Sequence, residues 1–202
     1  MTPIRTIRRR LPVEIAVWLE RYGDDLPRAW RECPHADWLV HLALHAGVGR
    51  TTVVHAVGEL VSAAIAARRV PDMRVNRALV VSLRWLGGRA GGTEAWAAGF
   101  SASDAAKTLA DDRDAATASA AGYLAFACDE EADDGFYAHR AYAAAAAAQA
   151  AIALEAPTLA ADVIRSYVPI SAVLQRISEW PEPLPGHGFP DPIESTPNPF
   201  VR

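Results

Sequence analysis

The chain has 202 residues, of which 51 % are hydrophobic, and 20 basic against 24 acidic side chains give it a net charge of −4. That length suits one domain with a sizeable core, and the mild acidity speaks against a nucleic-acid binder. Two cysteines, Cys33 and Cys128, are too few for a disulfide scaffold and read as buried thiols in apolar helices.

Residues 1–10 are polar and basic and read as a loose arm. The cluster Arg5, Arg8, Arg9 and Arg10 lacks the aromatic interleaving of a nucleic-acid patch, so no nucleic-acid partner is expected. The apolar run that follows carries Glu14 and Glu20, which is no secretory signal. A cytoplasmic protein is expected, with no membrane partner, because the alanine run 141–154 is weakly hydrophobic and interrupted by Gln149.

Pro12 opens a helix to about Tyr22, which Gly23 stops, and Asp25 caps a short turn through Trp30. The stretch from Trp30 to Gly47 gathers two tryptophans, one cysteine and three of the six histidines. Pro34 suits the first turn of its helix and Gly47 the left-handed stop. Between them Trp38, Leu39, Val40, Leu42, Ala43 and Leu44 cover more than one face, so the helix should be packed on several sides.

A short link then returns the chain into a helix over about 51–69, where Val53, Val54, Val57, Leu60, Val61, Ala64 and Ile65 recur at three- and four-residue steps. Pro71 starts another that ends at Gly87-Gly88, and the glycine-rich loop 87–92 is the clearest internal boundary. Thr93 should cap a short helix to Gly99. S-A-S-D from Ser101 resembles a capping box, so the next helix should run from there to about Cys128. The acid-rich D-E-E-A-D-D-G makes the turn into an alanine helix ending near Leu154, and alanine lets helix axes approach closely. The last helix covers 157–177, with Pro169 kinking or breaking it.

Seven prolines from Trp180 onward exclude helix, leaving an extended tail either draped on the bundle through Trp180, Phe189 and Phe200 or free. Nothing alternates as strands would. The expected architecture is all-α: a basic arm (1–10), one helical bundle (11–178, bulky-cored over 11–98 and alanine-rich over 101–178) and a proline-rich tail (179–202).

Chemistry is sparse. Asp37, His41 and His45, spaced i, i+4 and i+8, are the best metal-ligand candidates, since histidines four apart share a helix face. No H-E-x-x-H accompanies them, and packed or surface histidines are the favoured reading. His55 and Glu59 form a second i, i+4 pair, read as an ordinary surface pair. No phosphate loop, nucleophile elbow or dinucleotide fingerprint is present, so neither catalysis nor a cofactor is expected.

Charge is divided along the chain. Residues 50–89 hold seven arginines against two acids, net +5, while residues 101–140 hold nine acids against three bases, net −6. Such blocks either face each other or are solvated, or else the acidic one steers a basic partner. The candidate partner-binding residues are Asp111, Asp112, Asp114, Glu130, Glu131, Asp133 and Asp134.

The run A-W-R-E-C-P-H-A-D-W-L-V-H-L-A (Ala29 to Ala43) resembles the A-W-x-x-C-x-R-x-D-W-L-L-W-L-A signature of a family of helical, alanine-rich bacterial immunity proteins. The order that follows also resembles it: a G-V-plus-basic turn at 47–50, an apolar helix, then P-D-M-R-V-N-R-A-L…R-W-L-G-G at 71–88 and long alanine helices. The likeness spans about Ala16 to Tyr167. It departs at His35, where arginine is usual, at His41, where tryptophan is usual, and in the second helix, where Gly58-Glu59 stands for a cysteine–acid pair. The resemblance implies a non-catalytic module that blocks a cognate toxin. Two further readings compete: a self-associating helical scaffold or adaptor using the proline tail, and a metalloprotein using the cluster at 35–45.

Overall fold

Every regular element among the described residues is a helix, as the periodicity predicts. The computed structural model describes residues 3–129 and 138–179. Short helices α1 (Pro3–Arg8), α2 (Val13–Leu19) and α3 (Leu26–Glu32) lead into α4 (Ala36–Ala46), α5 (Arg50–Arg68) and α6 (Met73–Leu86). Then come α7 (Gly92–Ala106), α8 (Asp112–Phe126) and α9 (Ala138–Leu154), followed by α10 (Pro157–Tyr167) and α11 (Ile170–Ser178).

Caps set several of these limits. A 3-10 turn at Glu20–Tyr22 ends at Gly23, whose φ of 57° suits glycine. Asp25 accepts the Arg28 amide at 2.9 Å to start α3, and Asp72 accepts the Arg74 amide at 2.9 Å to start α6. Gly47, at φ 95°, closes α4, with the Val48 amide donating to Ala43 O at 3.0 Å in a Schellman-type stop.

Three local expectations change, and a fourth, the kink or break at Pro169, resolves to a break. The arm is not loose throughout: Pro3–Arg8 is helical and Ile7 is fully buried, because one large apolar side chain suffices to seat the segment against α2, α4 and α11. Pro34 precedes the N-cap residue His35 instead of standing in the first turn. The S-A-S-D run caps nothing, since α7 passes through it to Ala106. The break comes at 107–111, where Asp111 accepts the amides of Arg113 and Asp114 and starts α8. Pro169 breaks the final helix, serving as the N-cap position of α11. The acidic turn beyond Asp129 and the tail from Trp180 onward lie outside the described residues.

The core is uneven, as alanine dictates. Of the largest fully buried side chains among the described residues, only Leu124 and Ile164 come after residue 60. α4 buries Leu39, Val40, Leu42, Ala43 and Leu44 against α9, α10 and α11. α5 lies in the middle, touching α6, α8, α9 and α10. The later helices pack by close approach. At the α7–α8 crossing a Cβ on Gly99 would stand 3.0 Å from Gly122 O, and one on Gly122 would stand 3.1 Å from Gly99 O.

Candidate functional site

The acidic block is partly spent inside the fold. Arg68, in the last turn of α5, donates from Nη2 to Asp111 at 2.8 Å and from Nε to Asp114 at 2.9 Å. Asp111 is also the N-cap of α8, and the Asp114 amide, followed by the Arg68 guanidinium, holds its carboxyl below the ordinary range. Asp112 is exposed beside them. Of the predicted partner-binding residues, the structure therefore brings Asp111 and Asp114 together around one arginine and leaves Asp112 on the surface. Glu130, Glu131, Asp133 and Asp134 lie outside the described residues.

At the other end of α8 the same device is repeated with backbone. Arg50, in the first turn of α5, donates from Nε to Ala127 O at 2.7 Å and from Nη2 to Asp129 O, and its guanidinium lies 5.1 Å from the centre of the Trp85 ring. The negative end of α8 thus receives a cation. Arg68 of the basic block thus faces Asp111 and Asp114 of the acidic one. The sequence marked these arginines only as part of a basic block; their partners stand 43 to 79 residues away.

Asp37, His41 and His45 all belong to α4. Their environment favours neutral imidazole: the His41 and His45 ring centres are 6.0 Å apart, and Arg140 Nη1 lies 3.3 Å from His45 Nδ1. An arginine can only donate, so His45 Nδ1 is the acceptor and its proton sits on Nε2. Burial, then the Arg140 charge, pushes His41 down to about 4 and His45 down to about 3. Burial likewise raises the Asp37 carboxyl. Among the described residues no three His, Cys, Asp or Glu side chains group as metal ligands. A metal ion here would meet the guanidinium of Arg140 at the same nitrogen.

Both thiols are buried, which pushes Cys33 up to about 11 and Cys128 up to about 12, far from thiolate chemistry at neutral pH. Arg165 of α10, for which the sequence carries no signal, donates to Trp30 O at 3.0 Å and to Cys33 O, closing the carboxyl end of α3. The Trp30–Cys33 stretch is thereby tied to a helix more than 130 residues away.

His55 sits on the outer face of α5, with Nε2 3.6 Å from Glu59 Oε1 and its ring 5.1 Å from that of Tyr167. Beside it opens a cleft of about 450 Å³ lined by Thr51, Thr52, His55, Leu83, Leu86 and Gly87. A smaller one of about 150 Å³ is lined by Val48, Gly49, Thr52, Ala172, Gln175 and Arg176. Thr52 lines both.

No helix among the described residues is long and apolar enough to cross a membrane. Comparison with protein-family models, with curated proteins and with solved structures gives no match for the chain.

Proposed function

We propose that the chain is a non-catalytic protein-binding module that neutralises a cognate bacterial toxin inside the producing cell. The observation that carries the reading is the fate of the Ala29–Ala43 run. Its Trp30, Cys33, Leu39, Val40, Leu42 and Ala43 are all buried, and the carboxyl end of α3 is fastened from outside by Arg165. The pattern that resembles the immunity family is therefore a packing pattern, as expected of a rigid scaffold that presents a surface. The Arg140 guanidinium at His45 Nδ1 and the inert thiols favour this reading over a metalloprotein.

Co-expression tests it. The chain should restore growth to cells expressing a toxin encoded beside its gene, and failure to rescue from any adjacent toxin candidate would sink the reading.

The charge on α8 refines the expectation. Of the three acids at its start, Asp112 is the one with no structural duty, so it is the residue placed to steer a basic toxin. Asp112→Lys should slow association severalfold at low salt, with a small loss in melting temperature from the cation at the helix amino end. An unaltered association rate would remove α8 from the interface.

A further inference from the structure

We infer that two copies of the chain associate through the face formed by α10, α5 and α6, about a two-fold axis parallel to α5. α5 lies between the other two helices, and both run antiparallel to it. The His55 ring meets Tyr167 of α10 on one side and shares a cleft with Leu83 of α6 on the other. At the far end of α5, Arg68 bonds Asp114, whose neighbour Arg113 bonds Glu155, two residues before α10. Large apolar side chains stand exposed along this face. Met73 (83 %), Val80 (53 %) and Leu83 belong to α6, Leu159 (56 %) and Tyr167 to α10.

Register, charge and area agree on the axis. A two-fold parallel to α5 keeps each residue at its own height, so α6 of one copy lies on α10 of the other, pointing the same way. At 1.5 Å per residue, Val80, Arg77 and Met73 stand about 5, 9 and 15 Å below Leu83. On α10, Val163, Asp162 and Leu159 stand about 6, 8 and 12 Å below Tyr167. Leu83 therefore meets Tyr167 of the second copy, Val80 meets Val163, and Met73 meets Leu159. At 100° per residue, Leu83 and Tyr167 both lean toward α5, whereas Arg77 and Asp162 both lean away from it. Cation and carboxylate thus meet at the polar rim of the contact. Arg77 is exposed and has no acidic partner among the described residues, while Asp162 holds only Arg165, on its own helix. A two-fold across α5 would instead set Arg77 and Arg84 against their own copies, which like charge opposes.

Along the axis α5 presents Thr52, His55, Glu59, Ser62, Ala63 and Ala66, mostly small, so the two α5 helices can approach closely. Each Glu59 already lies beside His55 of its own chain, Oε1 to Nε2 3.6 Å. Three helices about 10 Å wide and a 19-residue α5 about 28 Å long make a face of roughly 800 Å², the share per partner of a stable interface.

Sedimentation equilibrium of the full chain tests this, and should give twice the chain mass at micromolar concentration. Val80→Lys and Leu159→Lys, both at exposed positions, should each weaken association at least tenfold. Arg77→Glu and Asp162→Arg should each weaken it severalfold, and the two together should associate more tightly than either alone, because the pair re-forms reversed. A melting curve verifies that each variant is folded. A monomer at that concentration, a dimer indifferent to both lysines, or a double swap weaker than each single one would overturn the proposal. The toxin-rescue assay reads a different property, so either result stands without the other.

Discussion

Glycines 58, 99 and 122 all lie inside helices, where glycine costs about 1 kcal/mol relative to alanine, but only two of them are required. A Cβ on Gly99 would fall 2.5 Å from the Phe126 ring, and one on Gly122 would fall 2.7 Å from Ser103 Oγ. At Gly58 the nearest atoms are the Leu83 and Leu124 methyls at 3.7 and 3.9 Å, ordinary contact distances. Gly58→Ala should therefore stabilise the protein by about 0.5–1 kcal/mol, and Gly99→Ala should destabilise it by roughly 1–3 kcal/mol through overpacking. Denaturant melts of the two variants check both signs. The same residue explains a misreading. Gly99 followed by S-A-S-D looks like a helix stop and restart, whereas it is a mid-helix glycine selected by a neighbour on α8. A spacing rule sees only the near sequence, and Phe126 is 27 positions away.

At the scale of elements, α5 and α8 are bound at both ends. Arg68 holds the amino end of α8 through two carboxylates, and Arg50 holds its carboxyl end through two carbonyls. Arg68→Met leaves Asp111 and Asp114 side by side without their cation and should lower stability. Asp112→Met, one residue from the cap, should change it by less than about 0.5 kcal/mol. Equal losses in the two variants, read by thermal melts at low salt, would show that the pairing is incidental. Helix existence was legible from periodicity and from Asp25, Gly47 and Asp72, whose chemistry is local. The pairing of opposite charge blocks was legible only as one of several possibilities, because charge counts carry no geometry. Arg165 left no sequence signal at all, since its work is done on carbonyls, which every residue possesses.

For the whole molecule, acidity is the informative perturbant. His41 and His45 are held near 4 and 3 in the folded chain, against about 6.5 when unfolded. Below pH 6.5 the unfolded state therefore binds more protons, and stability falls as pH falls. Each histidine should withdraw about 2 kcal/mol between pH 7 and pH 5. Carboxylates such as Asp72, Asp104 and Asp111 are held low by hydrogen bonds and arginine or lysine partners, so their losses come below about pH 4. Between pH 4 and 6.5 the histidines therefore lower stability, while the raised Asp37 carboxyl acts in the opposite sense. Denaturation midpoints at pH 7, 6 and 5 should decline steadily, and a flat profile would contradict the burial of the α4 imidazoles.

The double fastening of α5 to α8 also makes each helix a gauge for the other. From Arg50 to Arg68 the helical rise is about 27 Å, and from Asp111 to Ala127 about 24 Å, the difference being taken up by the reach of two arginine side chains. Deleting one residue within α8 would shorten it by about 1.5 Å and turn everything beyond by about 100°. Asp111 and the carbonyls of Ala127 and Asp129 would then no longer face the same side of α5. Residue-by-residue change is open to these helices, but a change in their length must occur in both at once.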